Sequence, residues 1–210
     1  MNVEVLADAV DTIHKTMDAN KDYLIALDQK NGDGDLGVSM ANGFLAIASY
    51  LQQTDEKDLG KALARCSSIF NETAPSTLGT ILSFGFLGMA KILKGKIEAG
   101  LPEFAQALQG GLALIMERAQ SKEGEKTIVD SLAPAIHALQ VEQDKDCATA
   151  LRFAAMKAAE GSESTRGMKS VHGRAAYYGD ASLGVIDAGS VVGKLIFESL
   201  AQWAGNRNNE

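Results

Sequence analysis

Cysteine is scarce in this chain of 210 residues. Cys66 and Cys147 are its two cysteines, too few for a disulfide scaffold or a cysteine zinc site. Basic charge is also short: 20 Lys and Arg stand against 27 Asp and Glu, a formal net charge of −7. A nucleic-acid binder carries the opposite footprint, so that class is excluded. No apolar run is long enough to span a membrane. The strongest, residues 78–93, is broken by Gly79, Gly85 and Gly88 and flanked by Lys91 and Lys94. The first residues carry Glu4, Asp8 and Asp11 with no basic n-region, so no signal peptide is read there. The expectation is a cytoplasmic protein without membrane contact. Sustained apolar–polar alternation, internal repeats and low-complexity linkers are missing too. Strands are therefore not expected, and residues 1–210 read as a single domain.

What is present is helical period. Val3, Leu6, Val10, Ile13 and Met17 share one face. The same spacing recurs in Met40–Leu51, Leu59–Phe70, Phe104–Ile115, Ile128–Leu139 and Val192–Trp203. Pro102 suits the opening of one of these helices, and Pro134 should kink another. A helix over 144–160 carries Ala150, Ala154 and Ala158 on its packing face, which predicts close helix approach. The run 77–93 is apolar on nearly every side and should be the central, most buried helix. The fold class is all-α, with about eight helices.

Two connections stand out. The first is DQKNGDGDLG, residues 28–37. Asp28, Asp33 and Asp35 lie in one turn among Gly32, Gly34 and Gly37, and glycine lets so short a segment turn its carboxylates toward one point. Converging carboxylates repel unless a cation sits between them. Oxygen donors without His or Cys favour Mg²⁺, Ca²⁺ or Mn²⁺. The helix that follows offers free N–H groups as an anion site beside the metal. The dinucleotide fingerprint Gly32-x-Gly34-x-x-Gly37 is rejected, because the loop follows a helix rather than a strand and its aspartates would repel a bare pyrophosphate. An EF-hand fails at Leu36 and Asn42, where Gly and Glu are required. A solvated turn with an aspartate cap stays open on composition alone. The second connection, residues 161–189, has six glycines and no convincing amphipathic stripe, a length that marks function or mobility.

At these residues the chain resembles the nucleotide-binding L subunit of dihydroxyacetone kinase. Residues 27–40, LDQKNGDGDLGVSM, look like that family's LD-x-x-x-GDGD-x-G-x-x-M signature. Residues 124–130, GEKTIVD, look like its GDKT segment, and residues 173–189, GRAAYYGDASLGVIDAG, like its GRASYLG…DPG segment. The motifs fall in order and the resemblance covers the whole chain. It implies an antiparallel barrel of eight helices with ADP or ATP and Mg²⁺ at one end. Asp28, Asp33 and Asp35 match the aspartates that bind a pair of Mg²⁺ ions. Leu36, Gly37, Val38 and Ser39 match the phosphate-meeting helix start. Ile128 falls at the adenine, and Arg174, Asp187, Ala188 and Gly189 match the arginine and aspartate–glycine turn of the nucleotide site.

There are departures. Leu36 stands where the family often has His or Cys. The family's glycine-rich second phosphate loop is replaced by NETAPSTLGT, residues 71–80. Aligned from Gly79 and Thr80, the phosphate-contacting positions are Thr73 and Ala74; a small shift would make them Ser76 and Thr77. Lys126 has a phosphate-contacting reading and a solvated-loop reading, of which the loop is preferred, and His172 is the histidine nearest the site. The resemblance further implies a partner K subunit that holds a small ketose, a phosphotransferase-system donor subunit, and activity only with partners. A homodimer, a non-catalytic regulatory subunit and a kinase subunit for another keto substrate remain alternatives.

Overall fold

Residues 1–207 are described by the computed structural model, and they hold nine α-helices and no strand. The helices are α1 (Val3–Ala19), α2 (Lys21–Asp28), α3 (Leu36–Gln53), α4 (Leu59–Thr73), α5 (Thr77–Ile92), α6 (Leu101–Ala119), α7 (Val129–Val141), α8 (Cys147–Ser164) and α9 (Ala188–Arg207). Their starts are written in the sequence. Asn2, Asp58, Ser76 and Asp146 each accept a backbone N–H of the first turn of α1, α4, α5 and α8. Glu103 reaches back to the Gly100 N–H at the start of α6.

Each long helix packs on the next in the chain, and α9 returns to pack on α1. Eight staves, α1 and α3 to α9, thereby close a barrel. Successive staves run up and down, most of them joined by short connections. The short α2 lies against α3 and α9 at one end. It was not anticipated: with eight residues and only Leu24 and Leu27 buried, it is too short to show a stripe.

The apolar stripes meet in one cluster down the axis. Phe44, Phe70 and Phe86 pack there with ring centroids 5.0–6.5 Å apart, near the edge-to-face arrangement that aromatic quadrupoles favour. A cavity of about 100 Å³ remains among apolar side chains such as Val10, Leu82 and Ile136. The helix α5 is a stave like the others rather than the most buried element. Ile81, Phe84 and Phe86 stay partly exposed and Ile92 is exposed, because a barrel wall has an outside even where its sequence is apolar all round. Ala150, Ala154 and Ala158 are fully buried where α8 meets its neighbours α7 and α9. Gly161 of α8 faces the carbonyl of Asp130, the group that Pro134 leaves without its helical donor. Among the described residues no helix is long and apolar enough to cross a membrane.

Candidate functional site

The acidic loop is folded by its own glycines. Asp28 ends α2 and Asp35 precedes α3. Gly34 takes a left-handed φ of 79° and donates its N–H to the Asp28 carboxylate at 2.9 Å. The Gly32 N–H bonds the Asp28 carbonyl at 2.6 Å, so close that a side chain at residue 32 would strike the Asp28 carboxylate. As a result Asp28, Asp33 and Asp35 each bring a carboxylate oxygen within 4.8 Å of the others. The Asp35 carboxyl is held above its ordinary range, first by burial and then by the charges of Asp33 and Asp28, with Arg174 opposing. Mutual repulsion of this kind is relieved by a cation. An all-oxygen set fits a hard divalent ion such as Mg²⁺.

These carboxylates stand on one wall of a cavity of about 630 Å³. Leu36 continues that wall. Ser76, Thr77 and Thr80 form a second wall, Lys126, Thr127 and Ile128 a third, and His172, Gly173 and Arg174 with Asp187, Ala188 and Gly189 the last. Four helices begin on this surface: α3 at Leu36, α5 at Thr77, α7 just after Ile128 and α9 at Ala188. Their N-terminal ends, each with partial positive charge, converge on one volume. Arg174 adds a full charge and ion-pairs with Asp33 at 2.5 Å. The arrangement joins a cation cradle to an anion cradle, which is the chemistry of a metal-bound polyphosphate.

Of the residues singled out from the sequence, Asp28, Asp33, Asp35, Leu36, Ile128, Arg174, Asp187, Ala188 and Gly189 all line this cavity. Gly37, Val38 and Ser39 do not. Gly37 packs on the Lys21 carbonyl, Val38 is exposed, and Ser39 is buried with its N–H on the Asp35 carbonyl. Thr73 and Ala74 also stand outside the wall. The Thr73 hydroxyl donates to the Ile69 carbonyl and Ala74 is fully buried. Their place is taken by Ser76 and Thr77, since α5 starts at Thr77 and turns those residues to the cavity.

Asp187 is both wall and cap. Its carboxylate accepts the Ser190 N–H at 2.6 Å, and burial pushes its carboxyl up to about 7, with Asp130 and Asp28 adding to the shift and Lys126 opposing it. Lys126 is not in a solvated loop. It is buried, with a left-handed φ of 61°, and its ammonium donates to the carbonyls of Thr165, Met168, Ser182 and Val185. The adjacent Glu125 pairs with His172 at 2.6 Å, which holds the Glu125 carboxyl below its usual range. No sequence signal marked these ties, because most of the partners are backbone atoms far along the chain.

The comparisons with known proteins agree with this architecture. Residues 30–202 match the family model of the DAK2 domain, and the chain belongs to that family. Among its relatives, the ADP-binding subunit DhaL of PEP-dependent dihydroxyacetone kinase 1 from Listeria innocua is 30% identical over 185 residues, 87% of each chain. The corresponding Escherichia coli subunit is 28% identical over 182 residues, 86% of this chain and 87% of that one. In three dimensions the chain superposes on the dihydroxyacetone kinase of C. freundii in complex with AMP-PNP and Mg²⁺ with a TM-score of 0.75 and 28% identity. That match covers 93% of this chain but 33% of the kinase, so this chain spans about a third of that protein.

Proposed function

We propose that this chain is the nucleotide-binding, phosphoryl-transferring subunit of a dihydroxyacetone kinase of the phosphotransferase-linked type. The carrying observation is the carboxylate cluster of Asp28, Asp33 and Asp35 at a cavity where four helix N-termini meet. The cavity is large enough for a nucleotide. The relatives named as ADP-binding subunits, and the neighbour whose title includes AMP-PNP and Mg²⁺, support the same ligands.

On this reading the three aspartates would hold Mg²⁺, by the resemblance as a pair of ions, beside a bound ADP or ATP. The metal would supply charge neutralisation for phosphoryl transfer. The N–H groups at the starts of α3 and α5 and the Arg174 guanidinium cradle the phosphate oxygens, and Ile128 gives the adenine an apolar floor. By the family resemblance, the acceptor ketose sits on a partner K subunit over the open face. By the family resemblance, the phosphoryl donor that regenerates ATP from bound ADP is a separate subunit; the relatives are named PEP-dependent.

Pro75 supports one other reading. It stands in the second phosphate loop, which has lost its glycines, and offers no N–H. That favours a nucleotide-binding regulatory subunit without transfer. Mixing the chain with K and donor subunits, phosphoenolpyruvate and dihydroxyacetone separates the two. Dihydroxyacetone phosphate formation is expected; nucleotide binding without transfer would leave the regulatory reading.

A further inference from the structure

Between α8 and α9 the chain makes its one long excursion, residues 165–187, and this segment supplies Arg174 and Asp187 to the cavity. It has little to hold it in place. Regular structure is limited to short 3-10 turns at 165–167 and 174–182, the second broken at Gly179. Most of its larger apolar side chains face outward: Tyr177 is 92% exposed, and Val171, Tyr178 and Leu183 are about half exposed. Ile186, at the end of the returning limb, is the large apolar side chain of the segment that joins the core. Core burial therefore pins the segment near its end, and polar ties must fix the rest of its path.

We infer that Lys126 is the positioning residue of this site: its ammonium gathers the two limbs of residues 165–187 and thereby sets Arg174 and Asp187 toward the cavity. The inference rests on reading the cavity as a nucleotide site. Two acceptors lie on the outgoing limb, the carbonyls of Thr165 at 2.9 Å and Met168 at 3.1 Å. Two lie on the returning limb, those of Ser182 at 2.7 Å and Val185 at 2.6 Å. An ammonium carries only donors, so four carbonyls converging on it satisfy a buried charge without using an acid. Among the described residues no carboxylate is in ion-pair contact with Lys126. A buried cation hydrogen-bonded to main-chain carbonyls, with the nearest favourable charge that of Asp187 beyond ion-pair contact, is costly unless those dipoles are already held in place. The left-handed backbone at Lys126, uncommon for a residue with a side chain, adds to that cost and is kept.

The other ties are weaker versions of the same plan. The Thr165 hydroxyl accepts the Asp187 N–H at 3.0 Å, and the Ser182 hydroxyl accepts the Ser170 N–H at 3.0 Å. Glu125 reaches His172. Thr127 and Ile128 follow Lys126 directly and form cavity wall, so one short stretch serves as wall on one side and anchor on the other.

The test uses Lys126→Ala and Lys126→Met in the full chain, with helix content checked by circular dichroism. Amides of 165–187 should exchange with deuterium about tenfold faster or more, while the barrel helices stay protected. Affinity for ADP with Mg²⁺, measured well below the melting temperature, should fall about tenfold or more, since small displacements at a site have large effects. Propylammonium, which restores the atoms missing from Lys126→Ala, should recover affinity; propanol should not. Unchanged affinity and unchanged exchange in folded variants would overturn the inference, as would loss without amine rescue or unfolding of both variants. If the parent chain binds no nucleotide, the functional reading fails, and the exchange data alone still decide whether Lys126 orders the segment.

Discussion

Asp187 shows how one residue couples the barrel to its site. It caps α9 through the Ser190 N–H and lines the cavity at the same time. Its carboxyl rises from 3.8 to about 7, so the folded chain holds a proton that the unfolded chain releases near pH 4. The sign follows: this group's contribution is complete below the unfolded value and is lost as pH rises through the folded one. Asparagine keeps the capping oxygen and cannot ionise. Asp187→Asn should therefore gain melting temperature relative to the parent as pH goes from about 4 to about 7. Parallel profiles for the two proteins would show that burial does not shift Asp187. At this scale Asp28, Asp33 and Asp35 were legible from the sequence, because acid and glycine at such spacing limit the chemistry. Thr73 and Ala74 lie off the cavity wall and the shifted pair Ser76 and Thr77 lies on it, because a change in loop composition hides where the next helix begins. Lys126 was invisible, because its acceptors are carbonyls 39 to 59 residues away and carbonyls have no residue signature.

Among the helices, α7 and α8 depend most on what is missing. Pro134 removes a donor inside α7, and Gly161 of α8 lies against the Asp130 carbonyl in the gap. A Cβ at residue 161 would come within 2.1 Å of that oxygen, which is backbone and cannot move aside. Gly161→Ala should destabilise the chain by about 1–3 kcal/mol, the usual effect of overpacking, measured by urea unfolding. A gain in stability, the ordinary result of Gly to Ala in a free helix, would contradict so close an approach. The eight long helices were legible because seven carry apolar or alanine residues at helical spacing and α5 is a long, strand-free apolar run. The short α2 was not, and the apolar run of α5 suggested a central helix because periodicity reports how apolar a helix is and not which neighbours cover it.

The whole molecule adds what no single motif contains. In a closed ring of alternating helices, α3, α5, α7 and α9 must all start at the same pole. Each N-terminus carries roughly half a positive charge. A chain with net charge −7 thus builds a local anion site at one end, beside the converging carboxylates of Asp28, Asp33 and Asp35. From the sequence, residues near each of these starts could be matched to the site one motif at a time; that four helix starts converge on one volume required closure of the barrel. Closure also explains why metal and nucleotide should bind together: the carboxylates repel a bare polyphosphate, and the helix ends repel a bare cation.

That interdependence is the central claim, and calorimetric titration of the full chain with ADP, with and without Mg²⁺, tests it most directly. Saturable one-to-one binding is expected with Mg²⁺, weakened about tenfold or more when the metal is removed or Asp33 is replaced by Asn, with helix content unchanged. Binding that ignores both Mg²⁺ and Asp33, or no binding under any metal, would contradict the account.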